Sequence, residues 1–305
     1  MKRKDNLYNN MLDINNIIST YDEICKKTKN KNKVYKWESI KEILLSKVFN
    51  ALESRNYVVG KYYGFVIYEP KERIIHSQDM YDKLINHLVS KYILIPSLVP
   101  CLISSNVASQ VGKGTKYGIE LYYKYRSICN RKYKEYYLLK MDIMKFFASI
   151  NREILKEKIS KKIKEKDSLD IVFKLIDSNP NDHLIIGSMS NQIFAIFYLN
   201  DIDHYIKEEL KIKYYIRYQD DMILIHESKE YLEYCLKKIE KKLEILGLKL
   251  NNKTKIYKNT ENINFIGVRK NRKYTNVNRT RRKLKKKEYE YNNGLCNLNS
   301  LSLVK

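Results

Sequence analysis

Two adjacent aspartates, Asp220 and Asp221, interrupt the apolar and aromatic run YYIRYQDDMILIH at residues 214–226. A third aspartate, Asp142, follows the short apolar stretch YYLLKM. Carboxylate oxygens suit hard divalent cations, and Mg²⁺ is commonly held by one or two carboxylates together with substrate phosphates. Two such ions about 3.5–4 Å apart stabilise the attacking and the leaving oxygen of phosphoryl transfer. If the three carboxylates meet, the chemistry they predict is nucleotidyl transfer.

The elements around these aspartates predict that they do meet. The patterns predict two strands joined at Asp220 and Asp221, one strand that ends at Asp142, and helices between and after them, in the order of a split βαβ, ferredoxin-like unit. In that topology the inner strands are neighbours, so Asp142 lies beside the hairpin tip. Two carboxylates about 4 Å apart repel by roughly 1–4 kcal/mol, which folding alone does not explain. A polar turn between two strands is the alternative for an isolated Asp-Asp pair.

The charge of the chain favours a polyanionic partner. Its 305 residues contain 59 Lys and Arg against 35 Asp and Glu, a net charge of +24. Such a surplus attracts nucleic acid. A/T-rich coding, which raises Lys, Asn, Ile and Tyr together, is an alternative source of part of this excess.

Targeting and metal-binding signals are weak. No run of about 18 apolar residues occurs, and the start MKRKDNLYNN has no apolar core behind its charges, so we expect a cytoplasmic protein without membrane contact. The five cysteines are isolated, which predicts reduced thiols and no structural zinc.

Few breaks divide the chain, which has nine glycines and four prolines. Residues 1–60 are predicted to be mainly helical, with Ile40, Leu44, Val48 and Leu52 at helical spacing in one amphipathic helix. Residues 60–76 are predicted to form a strand pair around the turn at 69–71.

Several ordered blocks resemble the reverse transcriptase family. YQDD at 218–221 resembles its Tyr-x-Asp-Asp signature, and the remaining blocks follow the family order over about residues 56–270. They are YEPKERIIH, SNVASQVGKGTKYGIE, LKMDIMKFFASINREIL, IIGSMSNQIFAIFYLNDIDHYI, LGLKLNNKTKIY and INFIGV. The resemblance implies an α+β right-hand polymerase fold with fingers, a ferredoxin-like palm and a small helical thumb. It implies an N-terminal helical segment at 1–55, fingers at 56–135, a palm at 136–268 with part of the fingers interleaved, and a small basic thumb or tail at 269–305.

The resemblance also implies roles for individual residues. It makes Asp142, Asp220 and Asp221 catalytic, and with Ile143 they form the implied metal set for two Mg²⁺ ions, with Mn²⁺ as a substitute. The implied nucleotide-binding residues are Lys71, Arg73, Phe146, Phe147, Gly187, Gln192 and Tyr218, with Phe147 as the aromatic gate that rejects a 2′-hydroxyl. The expected nucleic-acid-binding residues are Lys113, Arg279, Arg281, Arg282 and Lys285. The alternatives are a solvated turn for Lys71 and Arg73, core packing for Phe146 and Phe147, and a solvated tail for the last four residues.

Details within these blocks resemble one subgroup, the diversity-generating retroelement reverse transcriptases. Ile186-Gly187, a final Gln192 and the Gly-Lys-Gly-Thr at 112–115 match it, whereas Asn191 stands where that subgroup usually has Ser. The subgroup implies that a template RNA, with a primer and dNTPs, is copied into adenine-mutagenised cDNA alongside a small basic accessory protein oligomer.

Two alternatives stay open. One is a reverse transcriptase of a phage-defence or retron system, although retron enzymes usually have Gln-Gly in the second block. The other, from a different class, is a non-catalytic RNA-binding scaffold with a polymerase fold. The intact aspartates count against a scaffold, which has no use for a repulsive cluster.

Overall fold

The computed structural model describes residues 6–68, 72–179 and 183–269, which form an α+β fold, as the sequence predicts. The α-helices are α1 (Leu7–Leu12), α2 (Ile14–Lys27), α3 (Lys31–Glu38), α4 (Lys41–Glu53), α5 (Met80–Val89), α6 (Ile95–Leu98), α7 (Thr115–Lys132), α8 (Phe146–Ser149), α9 (Arg152–Ser160), α10 (Lys166–Asp177), α11 (Met189–Tyr198), α12 (Asn200–His204) and α13 (Lys229–Ile245). The strands are β1 (Tyr63–Ile67), β2 (Arg73–Ser77), β3 (Tyr137–Met141), β4 (Tyr214–Tyr218), β5 (Asp221–His226), β6 (Lys255–Lys258), β7 (Asn264–Phe265) and β8 (Val268–Arg269).

The chain divides into two compact units after Asn259. The first carries a four-stranded sheet with most of the helices, and the described part of the second, residues 260–269, carries the short antiparallel pair of β7 and β8. The fingers and palm boundaries at 56–135 and 136–268 stay predictions. Apart from its first residue, the predicted thumb at 269–305 lies outside the described residues.

The four-stranded sheet has the order β4, β5, β3, β6, and every neighbouring pair is antiparallel. This is the ferredoxin-like order that the sequence predicts. The inner strands β3 and β5 pair with Met141 opposite Met222. Both of these side chains are fully buried, as are Leu139 and Leu224. The register therefore brings the end of β3 beside the start of β5.

Side-chain caps fix where the helices that pack near this sheet begin. The Asn151 side chain accepts hydrogen bonds from two backbone N–H groups in the first turn of α9. Ser228 Oγ accepts one from Tyr231 N at 2.9 Å, at the start of α13. Such caps satisfy N–H groups that the helix leaves free. Asn and Ser are residue types that predict such caps, and α13 packs on β3, β5 and β6.

The apolar pattern of residues 188–210 predicts one long helix, and this prediction is wrong in one respect, because the helix is not continuous. Helix α11 ends at Tyr198, Leu199 has φ −87° and ψ 4°, and α12 begins at Asn200. A π-helical turn at Tyr205–Glu209 follows. The break changes the direction of the chain between two apolar segments, which the hydrophobic pattern does not reveal.

Strands β1 and β2 form the predicted antiparallel hairpin. His76 N, in β2, donates a hydrogen bond to Ile186 O at 2.8 Å, which joins the hairpin to the segment before α11. The next residue, Gly187, has φ 132°, and a Cβ at this position would lie 2.0 Å from His76 O. Both the backbone conformation and the close approach therefore require glycine here.

One continuous helical run among the described residues, Met80–Cys101, is long and apolar enough by length and composition to cross a membrane. Core helices of soluble proteins meet the same criterion. Of its most apolar 18-residue window, 56% is buried inside the protein. The expectation of no membrane contact stays a prediction.

Candidate active site

The two-residue loop between β4 and β5 carries the first of the aspartates. Tyr218 pairs with Asp221, which leaves Gln219 and Asp220 as the loop. Gln219 has φ 56°, the left-handed conformation that tight hairpins need at their first loop residue. Asp220 therefore lies at the hairpin tip, and Asp221 is the first residue of β5.

Asp142 reaches the same place from β3. It follows Met141, which pairs with Met222 in β5. Asn251 holds Asp142 twice, because its backbone N donates to Asp142 O at 2.7 Å and its Nδ2 donates to Asp142 Oδ2 at 3.1 Å. Asn251 was missed at the sequence level, since the turn that carries it lies 109 residues away along the chain.

Burial and mutual repulsion keep the carboxylates of this site ready to bind a proton or a cation. Burial raises the pKa of Asp220 to about 6, and the charge of Asp142 acts in the same direction, against that of Arg73. Burial raises the pKa of Asp221 to about 7, against the charge of Lys140 and with those of Asp142 and Asp220. Lys140 Nζ lies 3.6 Å from Asp221 Oδ1, beyond hydrogen-bond distance.

The donor set fits a hard divalent cation, but the side chains do not form a preassembled cage. Within residues 6–68, 72–179 and 183–269, no group of three or more His, Cys, Asp or Glu side chains is arranged to hold a metal ion. Asp142 is held by Asn251, and Asp221 is paired with Lys140. Mg²⁺ uses one or two carboxylates and completes its shell with water and substrate phosphates. Asp142 and Asp220 are the residues that would hold it, and the count of two ions stays a prediction.

The stability of the metal-free protein is expected to depend on these carboxyls. The pKa values of Asp220 and Asp221 lie above that of an unfolded aspartate, about 3.9. The folded chain therefore binds protons more tightly, so this contribution is present at low pH and is lost as pH rises from about 4 to about 7. Urea unfolding of the wild type and of D220N/D221N, in the presence of a chelator, measures this contribution to the free energy of unfolding at each pH. The wild type's free energy of unfolding should fall relative to the variant by roughly 5–6 kcal/mol over that range, at about 1.4 kcal/mol per pKa unit for the two carboxyls together. Parallel pH profiles would contradict the prediction.

Hydrogen bonds join the hairpin tip to two other blocks of the chain. Gln219 Nε2 donates to Ser109 Oγ at 2.7 Å, and Ser109 Oγ donates to Gln192 Oε1 at 3.3 Å. Arg217 Nη1 donates to Gln219 O at 2.9 Å. The predicted nucleotide-binding residue Gln192 is thus connected to the aspartate loop through Ser109, which sequence reasoning missed.

A buried ion pair supports the strand that leads to the tip. Arg217, which is 0% exposed, pairs with Asp203 of α12 through Nε to Oδ1 at 2.7 Å and Nη2 to Oδ2 at 2.5 Å. Tyr215 OH donates to Asp203 Oδ1 at 2.7 Å, and Arg217 Nη2 also donates to Ile196 O at 2.8 Å. An arginine inside the apolar run YYIRYQDD was the available signal, because a buried arginine needs an acidic partner.

The structure separates the two phenylalanines after Asp142. Phe146 is 3% exposed and belongs to the hydrophobic core, which favours the core-packing alternative, and its contact with a nucleotide stays a prediction. Phe147 is half-buried, and its ring meets that of Phe146 edge to face at 5.9 Å. Ile143 has a buried side chain, so only its backbone carbonyl could serve as the predicted metal ligand. Phe147 keeps an exposed part beside the aspartates' strand, as a gate requires.

Two other predicted site residues, Lys113 and Tyr218, make hydrogen bonds in the structure. Lys113 Nζ donates to Ser104 O at 3.0 Å, Asn106 O at 3.2 Å and Gln110 Oε1 at 3.0 Å. Since an ammonium has three N–H donors, these hydrogen bonds stabilise the loop of Lys113, and its contact with nucleic acid stays a prediction. Tyr218 OH accepts a hydrogen bond from Thr115 Oγ1 at 3.4 Å. The predicted residues outside the described part of the chain are Lys71, Arg279, Arg281, Arg282 and Lys285.

Comparisons with known proteins agree with this geometry. The family described as "Reverse transcriptase (RNA-dependent DNA polymerase)" matches residues 69–270. No curated protein sequence matches the chain.

Two solved structures share its fold. One is telomerase from Candida albicans in complex with a TWJ fragment of telomeric RNA, at 14% identity and a TM-score of 0.50, covering 77% of this chain and 48% of that one. The other is telomerase from Candida tropicalis in complex with a TWJ fragment of telomeric RNA, at 15% identity and a TM-score of 0.50, covering 82% and 52%. The chain thus spans about half the length of these telomerases. The likeness confirms the predicted right-hand fold.

Proposed function

The chain belongs to the reverse transcriptase family of RNA-dependent DNA polymerases, and from that premise we propose that it copies the template RNA of a diversity-generating retroelement into cDNA. The observation that carries the polymerase activity is the antiparallel register that sets Asp220 and Asp221 beside Asp142. The family uses divalent metal ions, and bound Mg²⁺ would stabilise charge on the attacking and leaving oxygens.

The residues of this chain supply binding and orientation for that reaction. In the proposed mechanism, Asp142 and Asp220 would hold the divalent cation, and Arg73 would neutralise charge on the substrate phosphates. Arg73 already lies close enough to Asp220 to oppose the rise in its pKa. Asn251 fixes Asp142, and the Gln219–Ser109 hydrogen bond fixes the loop that carries Asp220. These contacts hold the cation ligands in place before substrate binds, which reduces the cost of ordering them during the reaction.

The retroelement assignment is supported by the segment from Ile185 to Gln192. Asn191, the position that departs from the subgroup, is 1% exposed. Its Nδ2 donates to Asn179 Oδ1 at 2.6 Å and to Ile185 O at 3.1 Å. Because Asn191 is used inside the protein, its difference from Ser does not alter a surface that meets substrate. Ile186-Gly187 and Gln192 remain as the features that favour the subgroup.

Primer extension on RNA, followed by sequencing of the cDNA, tests both levels of the proposal. The purified chain, with its native RNA and partners, is expected to extend a DNA primer in the presence of Mg²⁺ and dNTPs, with errors concentrated at template adenines. An even error spectrum would remove the retroelement assignment and leave the polymerase. No extension, with Asp220→Asn behaving like the wild type, would remove the polymerase as well.

Phe147→Ala is expected to relax selection against ribonucleotides, because removal of the ring opens space for a 2′-hydroxyl. The ratio of kcat/KM for dNTP to that for rNTP should fall by roughly 10- to 100-fold, the range that one small group commonly contributes to discrimination. Single-nucleotide incorporation kinetics measure it. Phe147→Leu, which keeps most of the bulk, is the control and should retain most of the selectivity. An unchanged ratio in Phe147→Ala would end the gate assignment.

A further inference from the structure

Helix α3 is a solvent-exposed element that the proposed active site does not use. None of its residues is buried. Tyr35 is 70% exposed, and Trp37 is half-buried. A helix with no buried side chain gains little from packing. Such a helix, with a large aromatic side chain held in solvent, indicates a surface that meets a partner.

The charge of this region is strongly positive. Residues 26–36 contain six lysines and no acidic residue. Within the described part of the chain, Lys29, Lys31, Lys33 and Lys36 make no ion pair, whereas the neighbouring Lys41 pairs with Asp22 at 2.9 Å. Unpaired lysines on one short helix favour a polyanion, because binding it releases the polyanion's counterions.

Lys83 lies between α3 and a cavity that also contacts the segment before α11. Lys83 Nζ lies 5.7 Å from the centre of the Trp37 ring, and burial followed by the charge of Lys33 lowers the pKa of Lys83. Lys83 also lines a cavity of about 230 Å³, whose other wall includes Gly187 and Ser188. Gly187 is one of the residues that the resemblance makes nucleotide-binding. Lys83 therefore connects the two regions, because it lines the cavity and also contacts Trp37 of α3.

The cavity offers groups that nucleotides can use. His76 Nδ1 and Gln78 Nε2 are buried and have no hydrogen-bond partner among the residues that the structure describes. Both residues line the cavity, together with Phe65, whose side chain is 51% exposed. Buried polar groups are normally hydrogen-bonded. An aromatic ring beside free polar atoms suits a base that is unpaired, since every base has a face that can stack.

We propose that the α3 surface, defined as Lys29, Lys31, Lys33, Tyr35 and Lys36, binds the unpaired 5′ part of the template RNA. This inference rests on the proposed function, since template ahead of the growing cDNA is single-stranded until it is copied. The strand runs from the Gly187 segment through the cavity and over α3. Lysines bind its phosphates and Tyr35 stacks on a base, the combination that sequence-tolerant single-strand binding uses.

Binding of two primer-template duplexes to the full chain tests the proposal. They differ only in the 5′ RNA overhang, about 2 or about 12 nucleotides, within the range that a single-strand site covers. The wild type is expected to bind the long overhang at least about tenfold more tightly. In K29Q/K31Q/K33Q/K36Q this preference should disappear, and the slope of log K against log salt should become shallower by about 2–3, at about 0.7 per phosphate contact. Tyr35→Ala should lose part of the preference without changing the slope.

The control removes the same charge from the exposed side of α13, in K237Q/K238Q/K241Q/K242Q, and should keep the preference. Photo-crosslinking of 4-thiouridine in the overhang should map to α3. Equal affinity of the wild type for both duplexes, equal losses in the α3 and α13 variants, or crosslinks from α3 to the duplex alone would each overturn the inference. Extension of the short-overhang template by the α3 variant should match the wild type within about twofold, which separates this result from a failure of the polymerase proposal.

Discussion

Asp220→Asn is expected to lower the rate of primer extension by roughly 10²- to 10³-fold, the range seen when one group that stabilises transition-state charge is removed. The amide keeps the size of the side chain but cannot carry the negative charge that binds a cation. Because burial raises the pKa of Asp220 to about 6, most of this carboxyl is ionised near neutral pH, and the substitution removes a real charge. Single-turnover extension at saturating dNTP measures the effect.

Three comparisons make that result specific. Asp142→Asn should lower the rate of primer extension as much as Asp220→Asn, because the two carboxylates would hold the same cation. Asp221→Asn should lower the rate of primer extension by less, since Asp221 is already paired with Lys140. Asp170→Asn, the same change at an exposed carboxylate in α10, should extend at the wild-type rate. Retention of extension by Asp142→Asn or Asp220→Asn would show that these aspartates do not carry the chemistry.

Asp203→Ala is expected to lower the free energy of unfolding by about 3–5 kcal/mol, the cost of leaving one member of a buried ion pair without its partner. The Arg217 guanidinium and the Asp203 carboxylate are both 0% exposed, and Tyr215 OH also loses its acceptor. Water cannot reach the stranded arginine without opening the contact between β4 and α12. Urea unfolding followed by circular dichroism gives the free energy from the midpoint and slope.

A matched exposed pair provides the control for this substitution. Asp22 pairs with Lys41 at 2.9 Å, and its side chain is 54% exposed. Asp22→Ala should cost only about 0.2–1 kcal/mol, because water replaces the lost partner. If Asp203→Ala costs as little as Asp22→Ala, the pair does not stabilise the fold. A lower extension rate in a still-folded Asp203→Ala would mean that the pair also supports the hairpin tip.

Local patterns were sufficient to predict the elements that carry the aspartates. The alternation and apolar runs of β3, β4 and β5 are properties of a few consecutive residues, and the caps at Asn151 and Ser228 act within one helical turn. The ferredoxin-like order then determines which strands are neighbours, so the meeting of Asp142 with the hairpin tip followed from element order alone. The structure confirms this part of the fold.

The failures arise where partners are distant along the chain. Asn251 and Ser109 have ordinary local sequences, and their importance appears only when Asp142 and Gln219 lie beside them. The break at Leu199 interrupts a continuous apolar pattern, and the chain direction after it lets Asp203 reach Arg217.

The hydrogen bond from His76 N to Ile186 O joins two parts of the proposed active site. Together with the close packing of Gly187 against His76, it holds the β1–β2 hairpin against the segment that precedes α11. Arg73 is the first residue of β2 in this hairpin, and Gln192 lies in the first turn of α11. Gln192 accepts a hydrogen bond from Ser109, which in turn accepts one from Gln219 in the loop that carries Asp220. Hydrogen bonds and one short stretch of backbone therefore connect the strand that carries Arg73 with the loop that carries Asp220.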